Sequence, residues 1–153
     1  MSSKTTRKTS EADEFVNAFH GVVLSLFRDI APTFEAEGVS KGQFWAMHEL
    51  SSKHSESVDA VARHLAVSAP TMCVTVDQLE EAGLVTRRRS AQDRRKVELL
   101  LTSKGEEAEA RIWSKIGERV SEVLVGLPRD DLTTSVRVFR ELNRRLDGQG
   151  ARS

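Results

Sequence analysis

The stretch that decides the fold runs from Ser68 to Gly105 and reads SAPTMCVTVDQLEEAGLVTRRRSAQDRRKVELLLTSKG. Ser68 is a favourable residue to cap a helix at its N-terminus. The apolar residues that follow it recur at helical spacing: Met72, Val76 and Leu79. Gly83 is the expected end of this helix, because glycine accepts the left-handed backbone conformation there. Residues 84–88 and 97–101 have the composition of two strands, so the stretch predicts a helix followed by a β-hairpin.

The loop of this hairpin concentrates positive charge. From Arg87 to Lys96, six basic residues stand against the single acid Asp93, which gives +5 in ten residues. The whole chain of 153 residues has 23 basic and 23 acidic residues and no net charge. By segment, the net charge is −2 over residues 1–38, +2 over 39–105 and zero over 106–153. A neutral total therefore does not exclude nucleic acid as a partner, provided that binding is confined to one face.

A short helix precedes Ser68 and completes a helix-turn-helix pattern. Residues 58–65 have apolar residues at helical spacing, and residues 66–68 form a tight turn before the next helix. Further upstream, Ser40 and Gln43 stand at the spacing of a capping box and begin another helix. The residues between these helices, 51–57, are polar and are interpreted as a loop.

Long helices flank this central part on both sides. Residues 1–10 lack apolar residues that could anchor them and are interpreted as a disordered arm. A first helix begins at Glu11 with Ser10 as its cap, and we expect Pro32 to end it. Two further helices follow the hairpin. The first should stop at Pro128, and the second should end just before Gly148.

The order of helix, turn, helix, glycine, strand, basic loop and strand is that of a winged helix-turn-helix. The sequence accordingly resembles the MarR family of bacterial transcription regulators. The residues that carry the resemblance are Gln43-Phe44, Val67–Thr71, Leu79–Val85, Asp93–Arg95 and Leu101–Gly105. The resemblance implies a mainly α fold with a small β-hairpin, forming one MarR-type domain overall. Within it, residues 38–105 would be the DNA-binding region, and residues 11–37 and 106–147 would be dimerisation helices.

The resemblance also implies a function. It predicts a homodimer that binds double-stranded DNA at a pseudo-palindromic operator, as a repressor released by a small effector. Independent support for a dimer comes from the flanking helices, whose apolar stripes are broader than a compact winged domain can cover. An intrachain helical core is the alternative explanation of those stripes.

The candidate DNA-binding residues fall on the second helix of the pair, on the hairpin and on two neighbouring helices. They are Lys41, Arg63, Ser68, Ala69, Pro70, Thr71, Val74, Thr75, Gln78, Arg87, Arg89, Asp93, Arg94 and Arg95. We expect Asp93 to hold Arg95 in place near the tip. Strand alternation should put Arg87 and Arg89 on one face.

The recognition helix departs from the family's pattern. Residues 68–78 contain no lysine or arginine, and Val74 stands where a basic residue is common in the family. Base recognition would then depend on hydroxyl and amide groups and on contact with thymine methyls. We expect ordinary or weak affinity with a steep salt dependence, because phosphate contacts release counterions. A winged-helix module that binds protein without specific DNA binding is the alternative function.

A ligand pocket would, by resemblance, lie between the first helix, the helix of Gln43 and the helix after Gly105. Its candidate residues are Phe19, Trp45, His48, Trp113 and Ile116. A small aromatic or lipophilic effector would suit these side chains, and ordinary core packing is the alternative explanation. The four histidines do not have the spacing of a metal site, and we expect neither metal nor cofactor.

Other classes of protein fit the sequence less well. The motifs of phosphate-binding loops, zinc proteases and serine hydrolases are missing, so we do not expect an enzyme. The single cysteine, Cys73, cannot form an internal disulfide and is interpreted as a small packing residue. No apolar run is long enough to span a membrane, and no secretory signal is evident. We therefore expect a cytoplasmic protein.

Overall fold

The computed structural model describes residues 10–53, 56–90, 93 and 95–150, the last three of these by their backbone. Over these residues the elements are α1 (Glu11–Ala36), α2 (Lys41–Lys53), α3 (Val58–His64), α4 (Ala69–Glu81), β1 (Val85–Arg89), β2 (Val97–Leu101), α5 (Ser103–Leu124) and α6 (Arg129–Gly150). The predicted class, mainly α with one small hairpin, is confirmed. None of the described helices is long and apolar enough to cross a membrane. Of the predicted N-terminal arm, only Ser10 lies among the described residues.

The predicted cap at Ser10 proves to be a full capping box, and the capping box predicted for Ser40 and Gln43 is also present. The hydroxyl of Ser10 accepts from the backbone N–H of Asp13 at 3.1 Å, and the Asp13 carboxylate accepts from the Ser10 N–H at 3.0 Å. The hydroxyl of Ser40 accepts from the Gln43 N–H at 3.2 Å, and Gln43 Oε1 accepts from the Ser40 N–H at 2.7 Å. Each pair satisfies N–H groups that would otherwise lack a partner at a helix start.

The prediction that Pro32 ends the first helix is wrong, because α1 continues through it to Ala36. A proline removes one hydrogen bond from the helix interior, but here the next turn carries Phe34, which is buried against Phe44. The helix ends instead at Ala36, and Gly38 beyond it has a positive φ of 67°, which lets the N–H of Val39 reach the carbonyl of Phe34. Burial of the last turn outweighs the local preference of proline.

The helix-turn-helix has the predicted form. Ser57 caps α3, and Ser68 caps α4 through the N–H of Thr71. Between them the turn passes through Ala66, which has a positive φ of 53°. The N–H of Val67 donates to the carbonyl of Ala62, so the turn closes on the end of α3.

The hairpin pairs β1 and β2 in antiparallel register, with Val85 opposite Leu101 and Arg89 opposite Val97. The hairpin also pairs with Glu56, which lies in the predicted loop of residues 51–57. Glu56 and Leu99 exchange two backbone hydrogen bonds, of 2.7 and 3.4 Å, as an isolated bridge. One bridge residue among polar neighbours leaves no alternating pattern, which is why the segment was missed.

The residues that follow the hairpin are hydrogen-bonded to those that precede it, at the end of α4. Gly83 has a positive φ of 70°, as expected for the end of α4. The Thr102 hydroxyl donates to the Gly83 carbonyl at 2.7 Å, and the Thr102 N–H donates to the Leu84 carbonyl at 3.0 Å. Lys104 Nζ donates to the carbonyl of Ala82 at 2.7 Å. The motif Leu101–Gly105 thus joins the start of α5 to the end of α4.

The chain divides into two compact units after Arg119, inside α5. The core of the first unit lies beneath α2, α4 and the hairpin. Its fully buried side chains include Phe44, Met47, Leu50, Val61, Val76, Leu79, Leu99 and Ile112. Two ion pairs join α1 and its C-cap to α5 within this unit. Arg111 donates two hydrogen bonds to the C-cap residue Glu37, and Arg119 contacts Asp29 on α1 at 2.7 Å. The Arg111 guanidinium lowers the pKa of the Glu37 carboxyl.

The second unit contains the end of α5 and all of α6. Its helix bounds differ from the prediction: α5 ends at Leu124 before Gly126, which has a positive φ of 85°, and α6 continues past Gly148 to Gly150. Glu141 accepts hydrogen bonds from Arg144 and Arg145 on the same helix. These two arginines lower the pKa of Glu141 to about 2.

Candidate nucleic-acid interface

Helix α4 has a buried side and an exposed side. Met72, Val76 and Leu79 are at most 2% exposed and pack into the core. The opposite side presents five of the predicted DNA-binding residues to solvent: Ser68, Pro70, Thr71, Val74 and Gln78. Ala69 and Thr75 are partly exposed beside them. The structure therefore places all seven predicted helix residues outside the core.

The hydroxyl groups at the start of α4 are bonded to one another and to the helix. The hydroxyls of Ser68 and Thr71 lie 2.7 Å apart, and the Thr75 hydroxyl donates to the Thr71 carbonyl at 3.0 Å. Their orientations are therefore fixed before any ligand arrives. Val74, on the same side of the helix, is 57% exposed.

Arg87 on β1 turns towards α4. Its guanidinium donates to Asp77 at 2.6 Å and also contacts the carboxylate of Glu80. The hydrogen bond that Arg87 donates to Asp77 is the main cause that raises the pKa of Arg87. Because both carboxylates are engaged, Arg87 neutralises acidic charge on α4. Arg87 is one of the predicted DNA contacts, but its guanidinium is bound to these two carboxylates within the chain.

Arg87 and Arg89 lie on the same face of β1, since their register partners are Leu99 and Val97. Arg89 is exposed, and so is Arg88 on the other face. The structure thus leaves arginine side chains at the surface on both sides of the strand that leads to the wing tip. Strand alternation, as predicted, prevents all three arginines from pointing at one phosphate backbone.

The loop between the strands is organised by Asp93. Its carboxylate accepts from the backbone N–H of Arg95 at 3.0 Å, and its carbonyl accepts from the N–H of Lys96 at 2.9 Å. The Lys96 carbonyl in turn accepts from the N–H of Ser90 at 2.9 Å. Asp93 therefore fixes the backbone from which the exposed Arg95 side chain projects. Arg94, predicted to share the tip, lies outside the described residues.

Two predicted contacts lie on neighbouring helices. Lys41 is the first residue of α2, and its Nζ lies 4.9 Å from the centre of the Phe27 ring. Arg63 is exposed in the last turn of α3. Gln43, beside Lys41, donates from Nε2 to Gln78 Oε1 on α4 at 3.1 Å. This link between helices was not predicted, because residues 35 positions apart show no local signal.

Three of the five predicted pocket residues form an aromatic cluster. The His48 ring stacks on Trp113 with centres 4.2 Å apart, and Trp45 lies edge-on to His48 at 5.7 Å. Ile116 packs against the core, and Phe19 is half exposed on α1. Glu109, which was not predicted, also belongs to this cluster. It is 7% exposed, and its Oε1 lies 2.7 Å from His48 Nδ1.

Glu109 stands four residues before Trp113, on the same face of α5, and this spacing was the available signal. A buried carboxylate beside an imidazole makes the cluster polar as well as aromatic. Among the described residues, no group of three or more histidine, cysteine or acidic side chains could hold a metal ion.

Comparison with known proteins gives consistent results. The MarR family model matches residues 39–97. A MarR family protein from Bacillus stearothermophilus has a similar structure, with 20% identity, coverage of 89% of this chain and 95% of that one, and a TM-score of 0.79. Staphylococcus aureus MarR in complex with salicylate and kanamycin gives 21% identity, coverage of 88% and 91%, and a TM-score of 0.78.

A third similar structure is a mutant of S. aureus MepR bound to an oligodeoxyribonucleotide. It has 17% identity, covers 86% of this chain and 97% of its own, and has a TM-score of 0.62. At these identities the three structures establish the fold of the chain, and the family model matches its central part.

Proposed function

We propose that the protein is a homodimeric transcription regulator that binds a pseudo-palindromic DNA operator, because its residues 39–97 match the MarR family model. The observation that carries the proposal is the exposed side of α4 beside a basic hairpin. Seven polar or small side chains face outward along the helix, and the one acidic pair next to them is bound by Arg87. As a protein that acts on genomic DNA, it would work in the bacterial cytoplasm and would not be an enzyme.

In the proposed complex, α4 enters the major groove and the wing reaches the adjacent minor groove. A helix is narrow enough for the major groove, and its first turns meet the base edges. Arginine at the wing tip is attracted by the negative potential of a narrow minor groove. Arg94 and Arg95 would supply this contact, with Asp93 holding the loop. Lys41, Arg63 and Arg89 would contact phosphates and set the register of the protein on the duplex.

The proposed dimer would form through the flanking helices. On α1, five large apolar side chains are more than 40% exposed: Phe15, Val16, Phe19, Val22 and Leu24. On α6, Val136, Phe139 and Leu146 are also more than 40% exposed. Many exposed large apolar side chains on one helix are typical of an interaction site. We propose that the partner is a second copy of the chain. A two-fold dimer would place its two α4 helices about 34 Å apart, which is the length of one turn of DNA. Sedimentation velocity should show a dimer at micromolar concentration.

We propose further that the regulator is a repressor and that a small effector releases it. S. aureus MarR is described with salicylate, and the cluster of Trp45, His48 and Trp113 is the corresponding candidate site here. Phe19 and Ile116 would line its edge. An aromatic or lipophilic effector would have to separate the stacked His48 and Trp113 rings. An unchanged melting temperature across a panel of aromatic acids would count against this part of the proposal.

Fluorescence anisotropy with DNA from upstream of the protein's own gene tests the main proposal. We expect saturable binding, and we expect the logarithm of the association constant to fall linearly with the logarithm of the salt concentration. Arg95→Ala should weaken binding and reduce that slope by about 1, the effect of one lost phosphate contact. Arg28→Ala is the matched control, because Arg28 is an exposed arginine on α1 and carries the same charge.

The absence of salt-dependent binding to any duplex would refute the proposal. That result would favour the alternative function, a winged-helix module that binds a protein. The lack of lysine and arginine on α4 is the feature that supports this alternative. Equal losses from Arg95→Ala and Arg28→Ala would show that charge alone, and not the wing, determines the affinity.

A further inference from the structure

A chain of hydrogen bonds fixes which end of the Gln78 side-chain amide faces outward. The backbone N–H of Ser40 lies 2.7 Å from one end of the Gln43 amide. A backbone N–H can only donate, so that end must be the carbonyl oxygen Oε1. The other end of Gln43 is then the donor Nε2, and it lies 3.1 Å from Gln78, whose facing atom must be an acceptor. The direction of one backbone N–H therefore determines the orientation of both amides.

This orientation leaves the amide nitrogen of Gln78 available. Gln78 is exposed on α4, on the helix face that also carries Thr71 and Val74 at spacings of seven and four residues. Its oxygen is turned to α2. Among the described residues, no acceptor is bonded to its Nε2. Among the described hydrogen bonds, none joins this nitrogen to the neighbouring carboxylates of Asp77 and Glu80, and both of those groups are bound by Arg87. The group presented outward is a donor.

A glutamine that presents only a donor differs from the glutamine that commonly reads DNA. In the usual contact with adenine, the amide oxygen accepts from N6 and the amide nitrogen donates to N7. Here the oxygen is already engaged by Gln43. Guanine offers two acceptors side by side in the major groove, N7 and O6.

We propose that Gln78 selects guanine at one position of each half-site, and that Gln43 is a positioning residue that imposes this choice. The inference rests on the proposed function, since it requires α4 to enter the major groove. It assigns base specificity to a helix without lysine or arginine. It also predicts a particular dependence: the base selected by α4 changes when a residue on α2 changes, although Gln43 itself need not touch the DNA.

The test is selection from a duplex library with a randomised core, using the full-length protein and the variant Gln43→Glu. Glutamate keeps the cap of α2, because one carboxylate oxygen still accepts from the Ser40 N–H. Its second oxygen is also an acceptor, so Gln78 must turn its Nε2 towards it and present Oε1 outward. We expect the selected base at one position per half-site to change from guanine to adenine or cytosine, which carry donors. The preference there should shift about tenfold or more, while the other positions stay the same.

Gln78→Ala is the matched control, and it should lose selectivity at that position without acquiring a new one. Melting curves of the variants show whether they are folded. If Gln43→Glu does not fold, Gln78→Glu provides the second test, because its outward oxygen should select cytosine through N4. The added carboxylate lowers affinity for every sequence alike, so the ratio between bases at one position is unaffected.

The outcomes separate this inference from the proposed function. A wild-type protein that enriches no sequence refutes both. A wild-type protein that enriches an operator with adenine at the Gln78 position overturns the inference alone. So does a Gln43→Glu variant that enriches the same operator as the wild type.

Discussion

Replacing Gly105 by alanine should destabilise the protein more than any other glycine substitution in α5. A Cβ atom at Gly105 would lie 2.0 Å from the carbonyl oxygen of Leu84, whereas real Cβ atoms essentially never approach closer than 3.0 Å. The start of α5 and the end of α4 would therefore have to separate by at least 1 Å. The same Leu84 oxygen accepts from the Thr102 N–H at 3.0 Å, so this separation also breaks a hydrogen bond.

The expected cost follows from these two effects. Forcing an atom into a packed site typically costs about 1–3 kcal/mol, and a lost hydrogen bond costs about 1 kcal/mol. We therefore expect the free energy of unfolding to fall by about 3 kcal/mol. For a chain of this size, 1 kcal/mol corresponds to roughly 2–4 °C, so the melting temperature should fall by about 10 °C.

Thermal unfolding followed by circular dichroism measures this change, with all variants at one protein concentration. Gly117→Ala is the control, because Gly117 lies in the same helix and has no atom within 4 Å of the position of a Cβ. Alanine there should stabilise the protein by up to about 1 kcal/mol through its helix propensity. If the two variants melt at the same temperature, the close approach of α5 to Leu84 is not the reason that a glycine stands at position 105.

Three further predictions concern charge. Arg87→Met should lower DNA affinity about tenfold at low salt, because it exposes two carboxylates near the duplex. Adding Asp77→Asn and Glu80→Gln should restore part of the lost affinity. Titrations with labelled duplex measure both effects, and no recovery would contradict the idea that Arg87 shields these two carboxylates from the DNA. The same substitution should change the free energy of unfolding by less than about 1 kcal/mol, as for other surface ion pairs. Asp93→Ala should weaken DNA binding with little change in melting temperature. Asp93→Asn keeps an acceptor oxygen for the Arg95 N–H and should bind DNA more like the wild type. Equal DNA binding by all three proteins would exclude a role for Asp93 in holding the loop for DNA binding. The pKa of Glu141 is lowered from 4.5 to about 2, so its ion pairs contribute stability fully above pH 4.5 and lose it as the pH falls from 4.5 to 2; a carboxyl NMR titration with a midpoint near 4.5 would contradict the ion pairing.

Features that depend on neighbouring residues were predictable from the sequence. Ser40 and Gln43 stand three positions apart, and their capping box could be predicted because both partners lie in one helical turn. Gly83 could be assigned as the end of α4, because glycine is the residue that adopts positive φ at low cost. The hairpin followed from the change of apolar period after Gly83 and from the clustered charge between its strands.

Local preference failed where burial opposed it. Pro32 is a helix breaker by its own chemistry, yet α1 passes through it, and the residues that follow it in the helix include the buried Phe34. The bridge between Glu56 and Leu99 has no sequence pattern, because a single residue of β pairing is set by its distant partner. Such features follow from the packing of elements that are far apart along the chain.

The candidate site shows the same division. The sequence by itself determined that a capped helix and a basic hairpin follow a helix-turn-helix, because helix caps, periodicity and turn residues act within a few positions. It also determined which side of α4 is apolar. Only the tertiary structure decided that Arg87 binds the acids of α4 and that Gln43 orients Gln78. These contacts join side chains 10 and 35 positions apart, and their geometry exists only once the helices and the hairpin have packed together.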